Sequence, residues 1–465
     1  MFEKNIYIER RKRLKELMKG NGILLFVGNN DAPMNYPANQ YHFRQDSTFL
    51  YFFGVDEPGF SALIDADSGE EILFGNDFEI DDIIWMGDQP TVKERAEEVG
   101  MKKSLPLKEL DTYVKKAIDE GRKVHYIPPY RADVLIRISE LTGVPYSNVK
   151  KEASVELIKA VVKLREKKGA EEIEEIEKAV NITREMHITA MKTASPGLYE
   201  RDIAGLIEGI ALSKGAGISF PVIFTVHGET LHNHYHGNLL EEGRLIINDS
   251  GAETTLHYAG DITRTFPEGK KFDSRQRDIY SLVLKAQKKA ISMLAPGVFY
   301  REVHLAAAKV FAEGLKDLGL MKGDPDEAVR AGAHALFFPH GLGHMMGLDV
   351  HDMENLGEDY VGYREGLKRS RQFGTAYLRL AKELEPGFVF TVEPGLYFIP
   401  KLIELWKGEG KFKDFINYDK VETYKDFGGV RIEDDYLVTE DGARLLGNPI
   451  PKEIDEVEEI RGKAY

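Results

Sequence analysis

Gly429-Val430-Arg431-Ile432-Glu433-Asp434-Asp435 is an apolar strand that carries acids. Val430 and Ile432 alternate, so one face of the extended chain meets a core while Arg431 and Glu433 share the other. Asp and Glu are poor strand residues, and a charge among buried aliphatics needs a cation beside it. The pattern recurs upstream. Val392-Glu393-Pro394-Gly395 ends an apolar run, with Thr391 and Glu393 on one face. Asn248-Asp249-Ser250-Gly251 closes a strand predicted over 244–249. Gly260-Asp261-Ile262-Thr263-Arg264 lies in a neighbouring strand predicted over 258–265, with Asp261 and Thr263 aligned. Any one of these acids reads as a strand-end or surface carboxylate. Together they ask for more positive charge than Arg264 and Arg431 supply, and metal ions would supply it.

A histidine-rich segment adds the nitrogen ligand. Phe338-Pro339-His340-Gly341-Leu342-Gly343-His344-Met345-Met346-Gly347-Leu348-Asp349-Val350-His351-Asp352 holds three of the 13 histidines. Its glycines permit close backbone approach to a ligand. His344 reads as the metal-binding imidazole, with His340 and His351 as neighbouring donors or proton carriers. Asp249, Asp261, His344, Glu393 and Glu433 make a ligand set for two divalent ions, a site that generates a nucleophile from water at neutral pH. His232-Asn233-His234-Tyr235-His236 reads as a polar loop with one functional histidine, an independent zinc site being the alternative.

Composition narrows the alternatives. The 465 residues carry a formal charge of −15, which argues against nucleic acid or an anionic membrane as partner. With no cysteine there are no disulfides, thiolate sites or cysteine nucleophile, so a metal here is held by oxygen and imidazole. The first nineteen residues read as a charged amphipathic helix rather than a signal peptide, and no apolar run approaches the ~18 residues of a membrane span. A cytoplasmic protein is expected.

The chain reads as an α/β (α+β) protein in two parts, 1–155 and 156–465. The first part alternates strands and helices: strands at 22–28, 49–54 and 124–127, and a hairpin of 61–65 with 71–74 around Asp67-Ser68-Gly69. Residues 156–194 predict a charged helical connector whose acids form a solvated face. Beyond 200, strands at 244–249, 258–265, 388–393 and 429–438 mix with helices at 273–294, 300–314 and 372–384. Residues 358–371 and 407–426 read as insertions or long loops.

These motifs are not isolated. Asp249, Asp261, the HGLGH…GLDVHD run, TVEPGLY and GGVRIEDD resemble the metallopeptidase family of the pita-bread fold, which includes methionine aminopeptidase, aminopeptidase P and prolidase. Phe43-Arg44-Gln45-Asp46-Ser47, Phe53-Gly54-Val55-Asp56-Glu57-Pro58-Gly59 and Trp85-Met86-Gly87 are similar to the N-terminal domain that aminopeptidase P and prolidase share. The resemblance implies an aminopeptidase P-type domain ahead of a pita-bread catalytic domain. It implies two divalent ions, manganese being expected and cobalt, zinc or iron the alternatives, with Asp261 and Glu433 bridging. It implies cleavage of the Xaa-Pro peptide bond of small peptides by metal-activated water. In that scheme Glu393 carries the proton, and His340 and His351 stabilise the oxyanion. His232 would lie near the proline pocket, and Arg431 would support the ligands. Prolidase (Xaa-Pro dipeptidase) is the favoured branch for two reasons: the forty residues from Glu393 to Glu433, and Arg379, placed to grip a dipeptide's carboxylate. The alternative for Arg379 is an exposed helix cation. Aminopeptidase P acting on longer peptides is the alternative activity, and a non-catalytic module on the same fold is a third. A homodimer is expected.

Overall fold

The computed structural model describes residues 1–464. They form two compact units, Met1–Arg165 with Glu354–Tyr360, and Glu166–Met353 with the chain from Val361 onward. The first unit therefore includes the helix Val155–Arg165, past the residue at which the sequence reading divides the chain.

In the first unit a five-stranded sheet runs in the order Lys103–Pro106, Glu71–Gly75, Ser61–Asp65, Ile23–Val27, Val124–His125. The expected hairpin is present, with Leu63 opposite Ile72. Its turn is held by the Asp65 carboxylate, which accepts from the N–H groups of Asp67 and Ser68. The strand expected at 49–54 is instead the helix Ser47–Phe53. All seven of its side chains are buried, so the apolar run shows no period to tell strand from helix. Its ends decide. Asp46 caps the Phe49 N–H at 2.9 Å, and Gly54 closes the helix in the left-handed region at φ 63°.

In the second unit the strands Leu245–Ser250 and Ile262–Pro267 pair antiparallel, and Ile223–Thr225 flanks the former. The helices Ala170–Thr193, Glu200–Lys214, Ser274–Ile291 and Tyr300–Asp317 surround these sheets. The strand expected at 258–265 begins only at Ile262. Before it, the backbone N–H groups of Ala259 and Gly260 donate to Gly347 and Ala252 instead.

The single strand expected at 429–438 is two. Gly429–Arg431 pairs with Gly395–Tyr397, and Asp434–Val438 pairs with Val389–Val392. Pro394 has no N–H to give a continuous ladder, and both chains break there, at Glu393-Pro394 and at Ile432-Glu433. The expected helix at 372–384 is also absent. A 3-10 turn, Thr375–Tyr377, leads into an extended segment whose Ala381 and Lys382 carbonyls accept from Arg301 and Tyr300. The stretch 407–426, expected as a loop, carries the helix Tyr418–Val421 and a 3-10 turn, Glu422–Tyr424. No helix among the described residues is long and apolar enough to cross a membrane.

Candidate metal centre

Two strand pairs supply the acids. Asp249 lies opposite Thr263, and Asp261 precedes the strand that carries Thr263. Glu393 and Glu433 stand at the two breaks just described. Short hydrogen bonds lock the halves together. The Glu433 N–H donates to the Thr263 carbonyl at 3.0 Å, and the Thr263 hydroxyl donates to Glu433 Oε2 at 2.6 Å. The Asp261 N–H donates to Asp435 Oδ2 at 3.0 Å. Arg431 donates to Asp249 Oδ2, to the Thr263 hydroxyl and to the Tyr397 hydroxyl.

The histidine segment is fixed by backbone pairing. The Thr391 N–H donates to the His344 carbonyl, the His344 N–H to the Thr391 hydroxyl, and the Glu393 N–H to the Leu342 carbonyl. His344 Nδ1 lies 3.1 Å from the Met345 carbonyl, which accepts only if that nitrogen carries the proton. Nε2 is then left as a lone-pair donor, the form a metal takes. It sits 3.4 Å from Asp261 Oδ2 and 3.7 Å from Glu393 Oε1.

Asp261, His344 and Glu433 each place a ligand atom within 4.8 Å of the others, the one such cluster of three or more ligating side chains among the described residues. Asp249 and Glu393 line the same cavity, which has a volume of about 470 Å³.

The electrostatics fit a cation. Burial, reinforced by the charge of Asp249, pushes the Asp261 carboxyl up to about 8. Burial also lifts Glu393 to about 8, with Asp261 adding to it against the opposing pull of Arg431. Glu433 is raised well above the carboxylate range by burial and then by Asp261, Glu393 and Asp249. Asp249 Oδ1 is buried without a hydrogen-bond partner. Acids so arranged ionise together only when a cation shares the site, and one imidazole among carboxylates suits a divalent ion.

The cavity is lined by all ten residues singled out in the sequence: Asp249, Asp261, His344, Glu393, Glu433, His340, His351, His232, Arg379 and Arg431. The His351 ring lies 4.0 Å from that of His344. His340 is engaged at both nitrogens, by the Gly341 carbonyl at 2.7 Å and the Tyr397 hydroxyl at 2.9 Å. Burial, with Arg431 nearby, holds its pKa down to about 3, so its ring is neutral. In the second histidine cluster, His232 and His234 line the cavity while His236 turns to the Val222 carbonyl. Phe220, Pro221, Ile223 and Leu231 give the cavity an apolar wall.

Sequence reading gave no role to Tyr397, Asp435 or the threonine hydroxyls, although it placed Thr263 and Thr391 on the strand faces of Asp261 and Glu393. Tyr397 closes the TVEPGLY run, but its contact with Arg431 becomes visible only once two strands pair.

Residues 174–440 match the model of metallopeptidase family M24, and residues 7–126 match that of the aminopeptidase P N-terminal domain. The chain belongs to metallopeptidase family M24. The M24 chain is 30% identical to the Xaa-Pro dipeptidase of Homo sapiens, over 97% of its own length and 92% of the relative's. It is 31% identical to the Xaa-Pro aminopeptidase of Haemophilus influenzae, over 98% and 97%. Zinc-substituted aminopeptidase P of E. coli, solved in complex with product, superposes with a TM-score of 0.82 at 28% identity, covering 100% of this chain and 99% of that one. An aminopeptidase P-type N-terminal domain thus precedes an M24 catalytic domain. Membership of M24 implies divalent ions, and the cluster at Asp261, His344 and Glu433 is the candidate place for them.

Proposed function

We propose that this M24 metallopeptidase hydrolyses the peptide bond preceding proline, and that it does so as a Xaa-Pro dipeptidase. The observation that carries the peptidase reading is the gathering of Asp261, His344 and Glu433 in a cavity that also holds Asp249 and Glu393. These five would hold two divalent ions, manganese being the expected metal. When bound, such ions lower the pKa of water and polarise a carbonyl oxygen.

The protein's own groups do the rest. Like any amide nitrogen, that of proline leaves as an amine only once a proton is delivered to it. Glu393 would take that proton from the attacking water and pass it to the nitrogen. His351 would donate to the developing oxyanion. His340 would join His351 at the oxyanion, its ring held by the Gly341 carbonyl and the Tyr397 hydroxyl and 3.9 Å from the Glu393 carboxylate. His232 and the apolar wall would receive the proline ring and the residue before it. Arg431, through Asp249 and Tyr397, would keep the ligand shell in place.

Arg379 supports the dipeptidase reading, because a cation in the same cavity suits the carboxylate of a two-residue substrate. Aminopeptidase P action on longer peptides is the second reading, supported by the Haemophilus relative and the E. coli structure. Metal-free protein reconstituted with Mn(II) should cleave Gly-Pro faster than Gly-Pro-Pro, and Arg379→Ala should raise KM for the dipeptide alone. Faster cleavage of the tripeptide would make the enzyme an aminopeptidase.

A homodimer is part of the proposal. The helix Ile80–Met86 buries none of its side chains, and Ile84 and Trp85 are 69% and 85% exposed. Apolar side chains so open to water support a surface that a second copy would cover. Ile84→Glu with Trp85→Glu should halve the mass seen in sedimentation.

A further inference from the structure

Lys168, just ahead of the helix Ala170–Thr193, is buried with Asp352 as an ion pair. Nζ lies 2.6 Å from Oδ2, and each side chain is 1% exposed. Asp352 directly follows His351. It also closes the loop that carries that histidine: its N–H donates to the Met345 carbonyl at 2.9 Å, and its Oδ1 accepts from the Asp349 N–H at 3.3 Å. The loop is packed against the pair. A Cβ on Gly347 would lie 2.8 Å from both Asp352 Oδ2 and Lys168 Cε, so a side chain there would wedge them apart. Lys168 is itself held, its N–H donating to the Gly387 carbonyl at 2.8 Å.

The two ends of the histidine segment therefore have separate anchors. His344 is set by strand-like pairing with Thr391. The His351 end is set by Asp352, and Asp352 by Lys168. A buried ion pair adds little stability that apolar side chains of the same volume would not give. What an ammonium on a fixed stem adds is a defined place for the carboxylate it meets.

We propose that Lys168 is a positioning residue for the reaction: through Asp352 it sets the His351 imidazole over the cavity without touching substrate. This rests on the role given to His351 above. The test is a double-mutant cycle on the manganese-loaded full chain, with Gly-Pro as substrate, read by kcat, KM, bound metal and melting temperature. Lys168→Met should lower kcat at least tenfold, leaving KM within twofold and metal content unchanged. In a His351→Ala background the same change should move kcat less than twofold. Asp352→Asn keeps the shape and the Asp349 contact, so it replaces Lys168→Met in the cycle if that variant does not fold, with the same coupling expected. Equal losses of kcat with and without His351, or loss of metal from the variants, would overturn the proposal. A His351→Ala enzyme with normal kcat would sink the role of His351 itself, a different result.

Discussion

Glu433 and Asp434 are neighbours in sequence, both 2% exposed, and they meet opposite fates. Asp434 points to the back of the sheet, where Arg264 and Lys452 donate to it and Gln287 adds a third contact. Burial works against its charge, but the two cations outweigh it and its carboxyl stands below the usual range. Glu433 points into the cavity, where burial and three neighbouring acids lift it well above that range. The fold neutralises one buried acid with its own cations, and one residue away it would leave the positive charge to an ion from outside. Of these two neighbours, the matched acid serves the scaffold, and the unmatched one is the candidate for the chemistry.

The largest expected effect breaks this comparison at its front face. Glu433→Ala should lower turnover by more than the roughly 10–100-fold that losing an outer support of a metal site costs. Elemental analysis should show metal lost in step. At the back face, Asp434→Asn leaves Arg264 and Lys452 facing a neutral group. It should cost about 3–5 kcal/mol in denaturant unfolding, the range for breaking a buried pair, while the folded, loaded fraction keeps its turnover. Were the two variants to behave alike, the division between matched and unmatched acids would be lost.

The pH dependence sharpens the contrast. Asp261 and Glu393, raised to about 8, hold protons in the folded metal-free state that the unfolded chain releases above its ordinary value near 4. The folded state binds more protons across that window, so its stability falls as pH rises from about 4 to about 8. The melting temperature of chelated protein should therefore drop from pH 5 to pH 8. Added Mn(II) should restore more at pH 8 than at pH 6 and release protons into a weakly buffered solution.

The smallest effect concerns a link within the front face. Tyr397→Phe removes the hydroxyl that joins Arg431 to His340. A fall in kcat of roughly tenfold, at unchanged metal content, is expected from losing such a support. A normal kcat would show that Arg431 and His340 act independently.

The acids were legible because they stand where strands reject them, in runs whose aliphatic spacing fixes the opposite face. The 61–75 hairpin was legible because its turn is written in local side chains. What failed was decided elsewhere in the chain. Leu380, Ala381 and Leu384 have helical spacing, but residues 297–301 claim the backbone around them. Phe49–Phe53 carries no period, so its caps decided. The break at Glu433 follows from a proline forty residues upstream on the partner strand, which no local pattern announces. Lys168 and Asp352 are 184 residues apart, and nothing around either predicts the other.

The cluster of Asp261, His344 and Glu433 draws on three distant stretches of one chain. An ion held there acts as a reversible cross-link that closes two long loops, removing freedom from the unfolded ensemble as a covalent tie would. Unlike a covalent tie, it loosens by mass action. How long the catalytic unit withstands heat or a protease should then follow the concentration of free ion around it.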